Sequence, residues 1–237
     1  DDYQIPHQDG AGVIEAVGAG VDSGRVGERV WLWLAAAGRR CGTAAEWTTV
    51  PARQAVTLPD GASFELGASL GVPAMTAHYC LFADGPVTGQ TVLVAGGAGA
   101  VGHFAIELAK RAGARVVTTV SSPDKAALAE KAGADLVVNY RSPDAADQVR
   151  AFGPADRVIE VALGANLQLD LATAGPHATI VTYAAEPANP ELPVRACMTA
   201  NLTLKFVLLY GVKMTALDQA AADITAALTA GELTGLP

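Results

Sequence analysis

Along the first fifty residues the apolar positions fall in short runs: GVIEAVGAGV from Gly12, then GERVWLWL, then EWTTV. Glycine, Asp-Ser-Gly and Arg-Arg-Cys-Gly turns separate them. Short β-like runs punctuated in this way predict a small antiparallel or barrel-like sheet. Pro59, Asp60 and Gly61 then make a loop. A helical period starts at Ser63 with Glu65 and Leu66, and Gly71 to Pro73 are expected to break it.

From Met75 the pattern alternates between strand and helix periods. TVLVAG leads into VGHFAIELAKRAG, ARVVTTV into SPDKAALAEKAG, DLVVNY into SPDAADQVRAFG, and DRVIEVA into NLQLDLATAG. ATIVTYA and TLKFVLLY add two more strands, and TALDQAAADITAALTAG a last helix. Gly113, Gly133 and Gly175 stand where helices are expected to end. This alternation predicts an α/β fold, a doubly wound parallel sheet covered on both faces.

Composition adds exclusions. The 237 residues are 51% hydrophobic and 17% charged, which excludes a disordered chain. A net charge of −8 lacks the cationic face that phosphate-backbone binding needs, so nucleic acid is not an expected partner. No apolar run is long enough to span a bilayer, and DDYQIPHQDG does not resemble a signal peptide, so a cytoplasmic location is expected. Cys41, Cys80 and Cys197 have neither C-x-x-C spacing nor a neighbouring histidine at ligand spacing. They read as reduced thiols.

The chemistry concentrates in VLVAGGAGAVG. Gly97, Gly99 and Gly102 have the G-x-G-x-x-G spacing directly after a strand and at the opening of a helix, the context of a dinucleotide turn. The next strand tip, VVTTVSSPDK, has no acid from Thr118 to Ser122 to bind a ribose 2′-hydroxyl. Ser121, Ser122 and Lys125 suit a 2′-phosphate instead, and Tyr140 with Arg141 could close the same pocket. NADPH is therefore the expected cofactor. Lys125 also fits an ordinary solvated helix charge.

In order along the chain, DGAGVIEAVGAGV, VGERVW, GASLGVPAMTAHY, VLVAGGAGAVG, NYR, ANLQLDL, PELPVRACM and NLTLKFVLLYGV together resemble the zinc-free quinone oxidoreductase (ζ-crystallin-like) branch of the medium-chain dehydrogenase/reductase superfamily. The resemblance implies a Rossmann sheet with a partial GroES-like β domain and an active site in the cleft between them. Residues 1–74 would be the partial GroES-like substrate domain and 75–210 the Rossmann NADPH-binding domain. The helix in 211–237 would lead back toward the substrate domain. Relatives extend beyond both ends of this chain, so a chain truncated at both ends is expected, without the first strands and a pocket tyrosine.

Further site residues follow from the resemblance. Ala98, Gly99, Ala100 and Val101 would meet the pyrophosphate beside Gly102 of the glycine turn, and Ser121 and Tyr140 the adenosine phosphate beside Lys125 as read above. Asn166, the run Tyr183, Ala184, Ala185 and Glu186, and Phe206, Val207 and Leu208 would line the nicotinamide side, which Thr76 approaches. The apolar members, Phe206 especially, fit core packing equally well. In the superfamily's zinc enzymes a ligand histidine precedes the acid of G-H-E-x-A-G. Here His7-Gln8-Asp9-Gly10-Ala11-Gly12 puts Gln8 at that position, and no metal is expected.

The implied reaction is hydride transfer from NADPH to a quinone or similar conjugated acceptor, which needs no metal to polarise it. Enone reduction and non-catalytic NADPH binding are the alternatives. The sequence shows no paired carboxylates, no Ser-His-Asp arrangement and no H-x-x-x-H pair, and His78, His103 and His177 are scattered. No catalytic acid or base is assigned. A homodimer or homotetramer is implied through TLKFVLLY, an apolar strand that reads as an edge needing cover or as an interior strand.

Overall fold

The computed structural model describes residues 3–186 and 189–236. These residues form two compact units, one from residues 3–75 with 212–235 and one from Thr76–Gly211 with Leu236. The fold is mixed α/β, with a six-stranded parallel sheet and a small antiparallel sheet.

The small sheet pairs β1 (Gly10–Val13) with β2 (Arg29–Leu32), and β2 with β3 (Ala55–Thr57), all antiparallel. Trp31 and Trp33 are fully buried in this unit, and Trp31 Nε1 donates to Thr225 Oγ1 of α7 (Met214–Thr229) at 3.4 Å. Arginines tie the loops to the strands. Arg29 donates to the carbonyls of Pro59, Asp60 and Ala62, and Arg25 to those of Ala52 and Ala55.

The expected strands are only partly present. β1 covers the start of GVIEAVGAGV, and residues 16–21 form no strand. EWTTV is also not a strand; the third one lies five residues beyond it, at Ala55–Thr57. β propensity over three or four residues is weak, and pairing with β2 decides which segment is used.

The expected break at Gly71 to Pro73 is overturned. Helix α1 runs unbroken from Phe64 to Phe82 with Pro73 inside it, and Ser63 Oγ receives the Leu66 N–H at 3.1 Å at its start. The chain tolerates the proline because Asp9 enters the opened turn. Its Oδ1 accepts the Val72 N–H at 2.8 Å. A Cβ on Gly71 would lie 2.0 Å from that same oxygen, so only glycine leaves room for the carboxylate. Burial pushes the Asp9 carboxyl up to about 6, with the Val72 bond and the charge of His7 opposing the rise.

The parallel sheet comprises β4 (Thr91–Ala95), β5 (Arg115–Val120), β6 (Leu136–Asn139), β7 (Ala155–Glu160), β8 (Ala174–Thr182) and β9 (Thr203–Phe206). Their spatial order is β6-β5-β4-β7-β8-β9. The chain winds outward from β4 to β6, returns to the far side of β4 and winds out again, so strand order reverses between β4 and β7. Helices α2 (Ala100–Arg111), α3 (Pro123–Lys131), α4 (Ala145–Phe152) and α5 (Leu163–Thr173) make the first four crossovers, and the short α6 (Val194–Thr199) lies between β8 and β9. Every residue of β4 is buried, as a central strand covered on both faces requires. Leu93, Val117, Val138, Val158 and Ile180 carry the core across the strands to Val149 and Leu167.

Three further details complete the fold. TLKFVLLY is a strand only to Phe206, followed by a single 3₁₀ turn at Leu209–Gly211, and β9 lies at the edge of the sheet, not inside it. Gly113 and Gly133 leave their helices with positive φ, as expected. Gly175 does not, because α5 passes through an extended Ala174 directly into β8; Gly153 and Gly231 make the left-handed exits elsewhere. Finally, the last turn of α1 is held from below by Arg157 on β7, whose Nη1 donates to the carbonyls of Leu81 at 2.6 Å and Cys80 at 3.3 Å.

Asp9→Asn tests the inserted carboxylate. The folded carboxyl keeps its proton to a higher pH than an unfolded one. Its ionisation therefore takes stability away as pH rises from about 4 to about 6, by an amount on the order of 2 kcal/mol. Asparagine keeps the acceptor without the charge. Thermal unfolding of Asp9→Asn is expected to be flatter than that of the unsubstituted chain across this window, and parallel curves would refute the assignment.

Candidate functional site

In a parallel sheet every strand delivers its following loop to the same edge. Ala95 is level with Thr119, Val120 with Asn139, Glu160 with Thr182, and Thr182 with Phe206. The segments carrying Ala98 to Gly102, Ser121, Lys125, Tyr140, Asn166, Tyr183 to Glu186 and Phe206 to Leu208 therefore all begin at this carboxyl edge of the sheet. Thr76 comes from elsewhere, on α1, and is buried.

The glycine turn follows β4 at the point where strand order reverses. Gly96 takes φ +71, and its Cβ position faces Val161 Cγ1 of the β7–α5 turn at 3.4 Å. A Cβ on Gly102 would lie 2.3 Å from the Gly96 carbonyl oxygen, so the first turn of α2 packs directly on the loop. Gly99 is the N-cap residue of α2 and has no side chain with which to cap it, and the first turn holds no acid. Its first N–H groups and the positive end of its dipole are left for an anion. Gly99 and Ala100 are exposed, as such a contact requires. The cradle fits the pyrophosphate of a dinucleotide.

At the tip of β5, Lys125 Nζ donates to Ser121 Oγ at 3.2 Å, while the Ser122 hydroxyl caps α3 by accepting the Lys125 N–H at 3.4 Å. On the neighbouring β6 tip, Tyr140 is half-exposed and the Arg141 guanidinium lies 5.7 Å from its ring centroid. Ser121, Lys125, Tyr140 and Arg141 thus line the tips of adjacent strands. Ser122, grouped with them from the sequence, serves its own helix.

On the other side of β4, Asn166 Nδ2 donates to Glu160 Oε1 at 2.9 Å. Glu186 caps α5, its Oε2 accepting the N–H groups of Gly164 at 2.5 Å and Ala165 at 3.3 Å. That contact occupies the carboxylate and fixes the loop after β8. Core packing was open for the β9 residues, and the structure separates them: Phe206 is 73% and Leu208 69% exposed, while Val207 is buried.

A carboxylate pair went unseen in the sequence. Glu160, the last residue of β7, and Asp170 of α5 act on each other and are almost wholly buried. Burial is the main cause that pushes both carboxyls up, and for Asp170, driven to about 9, the Glu160 charge adds to it. A signal was present in the sequence. Leu163, Leu167 and Asp170 follow helical spacing, so Asp170 lies on the apolar face of its helix.

Comparison with known proteins fits this geometry. Residues 100–226, more than half of the chain, match the zinc-binding dehydrogenase family, and residues 3–60 match the alcohol dehydrogenase GroES-like domain. The chain belongs to the zinc-binding dehydrogenase family. A family member from Pseudomonas aeruginosa, a quinone oxidoreductase, is 39% identical over 121 residues, covering 51% of this chain. The match spans only 36% of that relative's own length. Among solved family structures, a mycobacterial protein in complex with NADPH superposes with a TM-score of 0.82 at 30% identity, covering 96% of this chain and 72% of its own. The CurK enoyl reductase superposes with a TM-score of 0.82 at 26% identity, covering 97% and 69%. The ordered motifs had pointed to quinone oxidoreductases of this superfamily, and the relatives agree.

Despite the family's description, no three His, Cys, Asp or Glu side chains among the described residues converge to hold a metal. Also among the described residues, no helix is long and apolar enough to cross a membrane.

Gly102→Ala tests the packing of the cradle. The added methyl must displace the Gly96 carbonyl, at an expected cost of about 1 to 3 kcal/mol in urea unfolding. An unchanged midpoint would show that the turn is not held there.

Proposed function

We propose that this chain belongs to an NADPH-dependent oxidoreductase that passes a hydride to a quinone or a similar conjugated acceptor without zinc. The observation that carries the cofactor half is the β5 tip. Lys125 and Ser121 are hydrogen-bonded there, beside Tyr140 and Arg141, in the place where an NAD site would put an acid. The mycobacterial neighbour's NADPH supports the same reading.

When bound, the cofactor supplies the hydride from nicotinamide C4. The chain's own part is to bind and orient. The uncapped N-terminus of α2 takes the pyrophosphate, and Ser121 with Lys125 takes the 2′-phosphate. Asn166, the segment from Tyr183 to Glu186, and the exposed Phe206 and Leu208 flank the nicotinamide half and exclude water from it. Residues 1–74 serve the acceptor and residues 75–210 the cofactor. Zinc independence is supported at Gln8, which stands at the ligand position of the zinc enzymes. Its Oε1 accepts the Ala36 N–H at 3.0 Å, so the side chain is spent on holding a loop.

Self-association along β9 is part of the same proposal. This edge strand and the residues after it expose Phe206, Leu208 and Tyr210. The protein is taken to be cytoplasmic.

Lys125→Glu tests the cofactor. NADPH affinity is expected to fall at least about tenfold while NADH affinity holds or rises, as measured by fluorescence titration. An unchanged NADPH to NADH ratio removes Lys125 from the site. Enone reduction is the second reading, favoured by the likeness to the CurK enoyl reductase. Steady-state oxidation of NADPH with quinones beside enones separates the two. Quinone turnover is expected, and turnover of enones alone overturns it.

A further inference from the structure

Glu160 Oε1 accepts two N–H groups, one from the Ala162 backbone and one from Asn166 Nδ2. Glu160 Oε2 and Asp170 Oδ2 are both buried and have no hydrogen-bond partner among the described residues, and the two carboxyl groups act on each other. Two buried carboxylates that act on each other repel, and a proton on one of them removes the repulsion. The donors on Oε1 favour the charge on Glu160, and Asp170 has no comparable support, so the proton rests on Asp170. Glu160 is 0% and Asp170 1% exposed, too deep for water to hydrate a second charge.

The pair lies under the reversal in strand order. Val161 follows Glu160 and faces the Gly96 turn, Ala162 is the N-cap residue of α5, and Asn166 is in its first turns. We infer that Glu160 and Asp170 share a single proton, and that this proton holds Asn166 and the turn into α5 in place for the nicotinamide half of NADPH. The inference rests on the cofactor reading above. The groups facing the pair are Asn166 on α5 and Tyr183 after β8, whose buried phenol the Glu160 charge helps push above its usual range. Among the described residues, no cation acts on either carboxyl. Loss of the shared proton therefore leaves two uncompensated charges beneath the turn. Glu160 and Asp170 are positioning residues; nothing requires them to touch a substrate.

Infrared spectroscopy of the full chain at about pH 8, above the range where Asp9 ionises, is expected to show the band of a protonated carboxylic acid. Asp170→Asn is expected to remove it. Absence of the band from the unsubstituted chain overturns the shared proton, and that reading needs no variant to fold. NADPH dissociation constants are then compared at about pH 7 and about pH 9.5, below the ordinary range of lysine and tyrosine. Binding by the unsubstituted chain is expected to weaken at least about tenfold. Asp170→Asn, whose amide is neutral and has no ionisable proton, is expected to weaken less than about threefold. Equal pH dependence in the two proteins overturns the positioning role. NADPH binding without the infrared band sinks this inference alone. The band without NADPH binding at neutral pH sinks the cofactor reading, and the positioning role falls with it.

Discussion

Parallel strand pairing is the constraint from which the rest of this structure follows. Two parallel neighbours cannot be joined by a tight turn, so each of the six strands must send the chain back along a face of the sheet before the next begins. The helices that do this bury β4 completely and leave all the outgoing loops at one edge. Residues as distant in sequence as Gly96, Ser121 and Glu186 share an edge for this reason.

Within that edge the helix starts are treated differently. Ser122 caps α3 and Glu186 caps α5, while α2 begins at Gly99, which has no side chain to place on its N–H groups. Satisfying the first two closes them to ligands; leaving the third open creates a local excess of positive potential on a chain whose formal charge is −8. The acidic balance of the whole molecule thus gives no guide to the sign of the field at the glycine turn.

What the sequence disclosed, it disclosed through periodicity. Long alternating strands and helices such as VLVAG and VGHFAIELAK were legible because covering both faces of a sheet leaves continuous apolar runs. In the small antiparallel sheet β2 was legible within GERVWLWL, but its partners were not, because β1 and β3 are four- and three-residue segments whose place depends on pairing with β2. Pro73 was misread for a related reason. A proline breaks a helix only if nothing else supports the opened turn, and the support here comes from Asp9, sixty-three residues upstream of Val72. Of the candidate site, the glycine turn and the Ser121–Lys125 pairing at the β5 tip were suggested by local chemistry. The Glu160–Asp170 pair could not, because each acid looks ordinary until α5 brings one over the other. The cap on α5 was hidden likewise, since Glu186 acts on N–H groups twenty-two residues before it.

The carboxylate in the opened turn of α1 has a kinetic consequence. A helical amide is ordinarily shielded from solvent by the carbonyl four residues before it, so its hydrogen exchange reports fraying of its own helix. The Val72 N–H is instead held by a side chain from the N-terminal segment. Its exchange rate reports the detachment of that segment, and α1 can remain wound while this one proton is released.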